Sequence, residues 1–237
     1  MSERILIAGG TGLLGRALAR RLATSGREIV LLSRAAARSA RALHLPPGCR
    51  VESWDGRTAN GWLELASGAE AIVSSASACG LMVKDYVRLL AGDGVYAARA
   101  ERVSAATRDL AEIVEPDNLR RLGCEVGSGP RVAWQSPCTL QHGQRVAGRV
   151  EALLEAAGCT LTPTSEATLC CGSAGTYSIL QPAMSGRPGQ RKSAGLTGNG
   201  PEVIATANIG CLEHLRAESP VPVRHWIEIV ADSITQP

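Results

Sequence analysis

An apolar stretch, Arg4-Ile5-Leu6-Ile7-Ala8, runs without a break into Gly9-Gly10-Thr11-Gly12-Leu13-Leu14-Gly15. Few features restrict a fold more. Leu14, Ala17, Leu18, Arg21 and Leu22 recur at helical spacing, which predicts a helix to about Thr24 with Gly26 as its stop. Glu28 to Leu32 then reads as a second strand. Strand, glycine turn, helix and strand in this order make half of a dinucleotide-binding unit, and so a parallel α/β fold. Gly9 allows the tight turn, Gly12 lets the backbone approach a pyrophosphate, and Gly15 lets the helix pack close to the strand. Leu13 and Leu14 sit where the helix start would offer free N–H groups to phosphate. The second strand ends in Ser33-Arg34 with no acidic residue, and an arginine there suits a 2′-phosphate, so NADP is favoured over NAD. The candidate cofactor residues are therefore Gly9, Gly12, Leu13, Leu14, Gly15, Ser33 and Arg34. A loop kept only for its turn is the alternative.

A second signal is unrelated to the first. Cys138, the adjacent pair Cys170-Cys171 followed by Gly172, and Cys211 form a spaced set, with Cys79 ahead of it. A disulfide between sequence neighbours is strained, and two adjacent thiols gain little from packing. Soft thiolates clustered in this way favour iron–sulfur chemistry or zinc. Zinc would need only four of them in a closed tetrahedral site. Cys49, Cys124 and Cys159 stand alone and read as core residues.

Length and composition narrow the field. A chain of 237 residues can form one large α/β domain or two small ones. Its net charge is only +3, just two lysines occur (Lys84 and Lys192), and aromatics make up 3%. A nucleic-acid surface needs basic stripes with interleaved aromatics, so that class is set aside. No apolar run approaches the roughly 20 residues of a membrane span, and no signal-peptide layout opens the chain. The expectation is a cytoplasmic protein without an integral membrane segment. Eight cysteines in that setting point to metal or redox work rather than to disulfides.

Further along, Glu70 to Val73 reads as a third strand. Tyr96, Ala100, Val103, Ala106, Leu110 and Val114 form an apolar stripe expected on one helix. Arg131 to Trp134 reads as a strand leading to Pro137-Cys138. Val146, Val150, Leu153 and Leu154 line a helix closed by Gly158, and Glu202 to Thr206 reads as a strand ahead of Cys211. Cysteines at strand ends and helix starts can converge on one edge of a sheet. Met184 to Gly200 carries five glycines and a proline, so a loop is expected there. No linker composition marks residues 73–74, which favours one packed body and a continuous parallel sheet, with two loosely attached units as the alternative.

These motifs resemble two families. Gly9 to Gly15, Leu31-Leu32-Ser33-Arg34, Trp54-Asp55-Gly56-Arg57 and Gly61-Trp62 resemble the start of an extended short-chain dehydrogenase/reductase of the NAD-dependent epimerase-like branch, over about residues 4–73. That family implies a catalytic Tyr with a Lys four residues later. Here Leu90, Ala100 and Gln181 follow Tyr86, Tyr96 and Tyr177 at that spacing, so its chemistry is not expected. From about residue 76 to 237 the chain is similar to the C-terminal cysteine-rich (CCG) domain of the glycolate oxidase (glycolate dehydrogenase) iron–sulfur subunit, related to heterodisulfide reductase subunits. Cys79 to Tyr86, Pro137-Cys138, Gln141 to Gln144, Leu169 to Tyr177, Leu180-Gln181-Pro182, Val203 to Cys211 and Val223 to Trp226 carry that similarity.

The second resemblance implies an electron-transfer subunit. Cys138, Cys170, Cys171 and Cys211 would hold an iron–sulfur cluster, a 4Fe-4S centre, with Cys79 as a fifth candidate. Flavoprotein subunits of a glycolate oxidase-type complex are the implied partners, and membrane association would be peripheral, through those subunits. His142 is a candidate neighbour of the site, and Lys84 a candidate counter-charge. The departures are specific: no Cys-x-x-Cys occurs, the two ferredoxin-type cysteine runs and the earlier copy of the domain are missing, and Thr139 stands where a His follows the first ligand. The expected organisation is a partial Rossmann-like segment over 1–73 and a cysteine-rich domain over 74–237. The rival readings are an NADP-binding epimerase/reductase-like protein and a non-catalytic module with both sites inactive.

Overall fold

The computed structural model describes residues 4–8, 19–20, 22–23, 27–33, 45, 47–53, 70–121, 124 and 127–235. Gly9 to Gly15, Arg34, Trp54 to Arg57 and Gly61-Trp62 lie outside them. The described residues sort into two compact units, one of residues 1–75 and 79–110, the other of 76–78 and 111–237. Residues 79–110 thus fall with the N-terminal part rather than with the cysteine-rich part.

In the first unit, β1 (Arg4–Ala8), β2 (Glu28–Ser33), β3 (Cys49–Ser53), β4 (Ala71–Ser74) and β5 (Thr107–Asp109) form one sheet in the order β3-β2-β1-β4-β5. Every pairing is parallel. The order reverses between β1 and β4, as it does in a doubly wound dinucleotide-binding sheet. The near-continuous apolar runs of β1 and β2 suit strands covered on both faces. Leu6, Val30, Leu32 and Ile72 form a buried cluster, against which Val103 and Ala106 pack.

The helices of the segment that follows β4 are α1 (Ser77–Lys84), α2 (Tyr86–Leu89) and α3 (Ala97–Ala106). The stripe from Tyr96 to Val114 does not form one helix. After α3 the chain becomes β5, and only then resumes as α4 (Leu110–Ile113) and α5 (Pro116–Arg121). The reason is the open edge of β4, which Thr107, Arg108 and Asp109 occupy in register with Ile72, Val73 and Ser74. Thr107 is β-branched and buried, and its hydroxyl donates to the Val103 carbonyl as α3 ends.

In the second unit, β6 (Arg131–Gln135), α6 (Arg149–Ala156), β7 (Thr160–Leu161), α7 (Tyr177–Leu180), α8 (Pro182–Thr197), β8 (Val203–Thr206), α9 (Ile209–Glu218), β9 (Val223–His225) and α10 (Trp226–Thr235) follow one another. Its sheet has the order β7-β6-β8-β9, all parallel. The strands therefore make two sheets rather than the continuous one expected. One core cluster joins Ala133 of β6, Ile204 of β8 and Val223 of β9 to Leu196 of α8 and Leu212 and Leu215 of α9.

The segment expected to be a loop is α8, a helix of 16 residues. Its glycines are there for close approach, not for flexibility. A Cβ on Gly189 would lie 2.8 Å from His214 Nε2 of α9, and one on Gly195 would lie 2.8 Å from the Ser165 carbonyl oxygen. Tertiary packing outweighs the poor propensity of glycine and of Pro188 within the helix.

Two predictions test this packing. Ile204→Ala, at a fully buried site of β8, should cost about 2–4 kcal/mol of stability in urea unfolding. Burial pushes the Cys159 thiol up to about 11, so almost none of it is thiolate at pH 8. Iodoacetamide at that pH should leave Cys159 unmodified in the folded protein and label it in urea, read by peptide mapping.

Candidate metal centre

The second sheet reverses direction between β6 and β8. From β6 the chain crosses through α6 to β7 on one side, then returns through α8 to β8 on the other. In open parallel sheets the crevice beyond the carboxyl ends at such a point is where ligands bind. Cys138 follows β6, Cys170-Cys171 lies on the connection after β7, and Cys211 stands in the first turn of α9 after β8. All four expected positions in this unit therefore come from segments beyond the same sheet edge.

Cys171 and Cys211 are buried, at 3% and 4% exposure, and their sulfurs are 2.8 Å apart. That separation is well beyond the roughly 2.05 Å of a disulfide, and both thiols are free. They share a proton. The hydrogen bond from Cys171 pulls the Cys211 thiol below the usual range, with help from Asn208 Nδ2 at 3.6 Å. The same bond, together with burial, pushes Cys171 far up. A pair coupled this closely releases its protons in two steps that belong to both residues.

Cys138 and Cys170 are exposed. Partial burial of the Cys138 sulfur raises its pKa, Cys170 and Cys171 raise it further, and the N–H groups of Thr139 and Cys138 itself oppose this. The Gly172 N–H donates to Cys170 Sγ at 3.4 Å. The four thiols thus share one electrostatic neighbourhood. Among the described residues, no three His, Cys, Asp or Glu side chains are grouped closely enough to hold a metal ion. The buried pair is assembled, and Cys138 and Cys170 stand outside a closed ligand shell. The donor set fits a soft metal or an iron–sulfur cluster: four free cysteines, a proton-sharing pair and backbone N–H groups aimed at sulfur.

The turn after the pair is tightly built. Gly172 has φ +90°, and an added Cβ there would run into the Ser185 carbonyl oxygen, His214 Nε2 and the Pro188 ring. His214, one helical turn beyond Cys211, places Nε2 3.2 Å from the Ser185 carbonyl oxygen and 3.4 Å from Ser185 Oγ. His214 is absent from the expectations, although its i+3 spacing from Cys211 is a usable signal. Thr139, standing where a His was expected, is 2.8 Å from the Ser77 hydroxyl. Ser77 also donates its N–H to the Ala207 carbonyl and accepts at its own carbonyl from Gln144 Nε2. The neighbouring His142 is exposed at the end of a π-helical turn, Thr139–Gly143. Cys79 and Lys84 belong to the first unit, Cys79 as an exposed thiol and Lys84 in the last turn of α1. Of the expected dinucleotide residues only Ser33 is described, buried at the end of β2.

Parallel strands with thiols gathered beyond their carboxyl edge define a cysteine-rich α/β protein. Residues 132–216 match the family model described as CCG, cysteine-rich domain. Residues 5–100 match the NAD dependent epimerase/dehydratase family, which extends the first likeness past residue 73. The glycolate oxidase iron-sulfur subunit of Escherichia coli K12 is 42% identical over 173 residues, covering 73% of this chain and 42% of that protein. Lactate utilization protein A of an Exiguobacterium species is 28% identical, covering 71% of each. Protein YkgE of E. coli K12 is 30% identical, covering 67% of this chain and 69% of its own. The chain therefore spans less than half of the first of these relatives. Among solved structures, a nucleoside-diphosphate-sugar epimerase from Pseudomonas aeruginosa aligns at a TM-score of 0.32 and 18% identity, over 87% of this chain and 52% of its own, too weak a likeness to argue from.

Gly172→Ala should break the turn beside the pair. We expect a loss of about 2–4 kcal/mol, since a methyl group at positive φ would also clash with backbone. Urea unfolding of the purified variant checks it.

Proposed function

We propose that this chain is an iron–sulfur electron-transfer subunit of a glycolate oxidase-type complex, in a partial or rearranged form. The observation that carries this reading is the proton-sharing Cys171–Cys211 pair, set beyond a switch point with Cys138 and Cys170 in its electrostatic field. The relatives' names supply the class of complex. Cys138, Cys170, Cys171 and Cys211 would hold one cluster of the 4Fe-4S type, with Cys79 as a fifth candidate ligand. Such a cluster supplies one-electron storage at a potential set by its surroundings. The chain's own residues do the rest. Cys171 and Cys211 would each release a thiol proton to become ligands. Asn208 and the Gly172 N–H stabilise negative charge on sulfur. Cys138 and Cys170 close the set from the exposed side. The partners proposed are flavoprotein subunits that oxidise a small hydroxy acid. No described helix is long and apolar enough to cross a membrane. The proposed location is the cytoplasm, at the inner membrane face through those partners.

A second reading is favoured by a separate observation. The β3-β2-β1-β4-β5 order reverses beside β1, directly ahead of Gly9 to Gly15. This supports NADP binding by Gly9, Gly12, Leu13, Leu14, Gly15, Ser33 and Arg34 in the first unit. The two readings concern different units and are compatible.

Iron and acid-labile sulfide after anaerobic purification, with EPR on oxidised and reduced samples, test the leading reading. About four of each per chain are expected, and Cys211→Ser should lose at least half of the iron. No iron even after reconstitution overturns it. Titration with NADP, followed by protein fluorescence, tests the other, and Arg34→Ala should weaken NADP about tenfold or more while leaving NAD unchanged.

A further inference from the structure

Lys192 is one of only two lysines in the chain and is 1% exposed, on the inner side of α8. An ammonium is not buried without compensation. Its Nζ donates to the carbonyl oxygens of Glu166 at 3.0 Å and Ala167 at 2.8 Å. Those carbonyls lie in the turn leading to Cys170-Cys171. Two of its three protons are thereby used, and neither acceptor carries a full charge. The Glu166 carboxylate itself turns outward to the guanidinium of Arg191. Burial lowers the Lys192 pKa, and the groups that oppose this are Cys171 first, then Glu166, Cys170 and Cys211. Three of the four are the thiols of the candidate site.

We infer that Lys192 is a positioning residue that fixes the turn ahead of Cys170-Cys171 and, as an ammonium, sets a positive charge beside the thiolate set, where it raises the reduction potential of a bound cluster. The inference rests on the iron–sulfur reading above. The sign follows from Coulomb attraction: reduction adds negative charge, and a nearby cation with restricted access to water stabilises the reduced form more than the oxidised one. The turn explains the residue's hydrogen bonds. The thiols explain why a charged residue, rather than an apolar one of similar volume, occupies a buried site.

The test is a redox titration of the reconstituted full-length protein, followed by EPR, on the wild type, Lys192→Gln and Lys192→Arg, with iron measured on each. Glutamine keeps N–H donors for the turn and removes the charge, and arginine keeps the charge. Lys192→Gln should retain iron and shift the ratio of oxidised to reduced cluster about tenfold toward oxidised, about 59 mV lower for one electron. Lys192→Arg should stay near the wild-type potential. An unshifted potential in an iron-loaded Lys192→Gln protein overturns the inference and leaves the iron–sulfur reading standing. If glutamine abolishes iron retention, the charge reading requires arginine to restore it, and failure of both variants overturns it. A wild-type protein that takes up no iron overturns the iron–sulfur reading itself.

Discussion

Two buried sulfurs sharing one proton set the terms for the second unit. Cys171 and Cys211 occupy the same core cluster as Ala133, Leu196, Ile204 and Leu215. A thiolate in such surroundings is unfavourable unless a proton or a metal sits beside it. The chain provides the proton through Cys171 and partial dipoles through Asn208. To bring the two sulfurs together, the turn at Gly172 must pass beneath α8 and against α9. That passage explains why Gly172 and Gly189 cannot carry side chains without meeting His214. The glycine content of α8, Pro188 and the placement of His214 are thus parts of one packing solution, made around sulfur rather than around a large apolar side chain.

Much of this was legible in the residues. The five strands Arg4–Ala8, Glu28–Ser33, Ala71–Ser74, Arg131–Gln135 and Val203–Thr206 match the expected strands within a residue or so, because apolar runs ending in small or polar residues are strong local signals. The helix with Val150, Leu153 and Leu154 formed as its spacing predicts. The failures share a cause: contacts distant in sequence decided local structure. Nothing near Thr107 announces that the edge of β4 is open to it. Nothing in Gly186, Gly189 and Gly195 announces that α9 and Ser165 press against them, so glycine read as a breaker. Cys138, Cys170, Cys171 and Cys211 could be chosen from their pattern, whereas His214 offered only its i+3 spacing from Cys211 and nothing in the sequence marks Lys192 as buried. Their importance comes from burial and from neighbours across the fold.

The two units use the same architectural rule for different residue sets. In each, parallel strands reverse order at one point, and the chemistry-bearing residues follow the strands that flank it. The first unit presents glycines after β1, suited by composition to a diphosphate. The second presents thiols after β6 and β8. A shared rule of construction does not imply a shared function, and each site is to be judged on its own residues.

The second unit is discontinuous along the chain. Ala76–Ala78 belongs to it, although residues 79–110 do not. Ser77 reaches Thr139 across 62 positions, and Gln144 reaches back to Ser77 across 67. During synthesis, these three early residues must wait for most of the polypeptide to emerge before their partners exist, including the Ala207 carbonyl. Dissection of the chain meets the same difficulty. A fragment cut at residue 111 would lack the short segment that ties the turn after Cys138 to the end of β8, so a fragment that keeps the cysteine-bearing body whole must also carry residues 79–110 of the other unit.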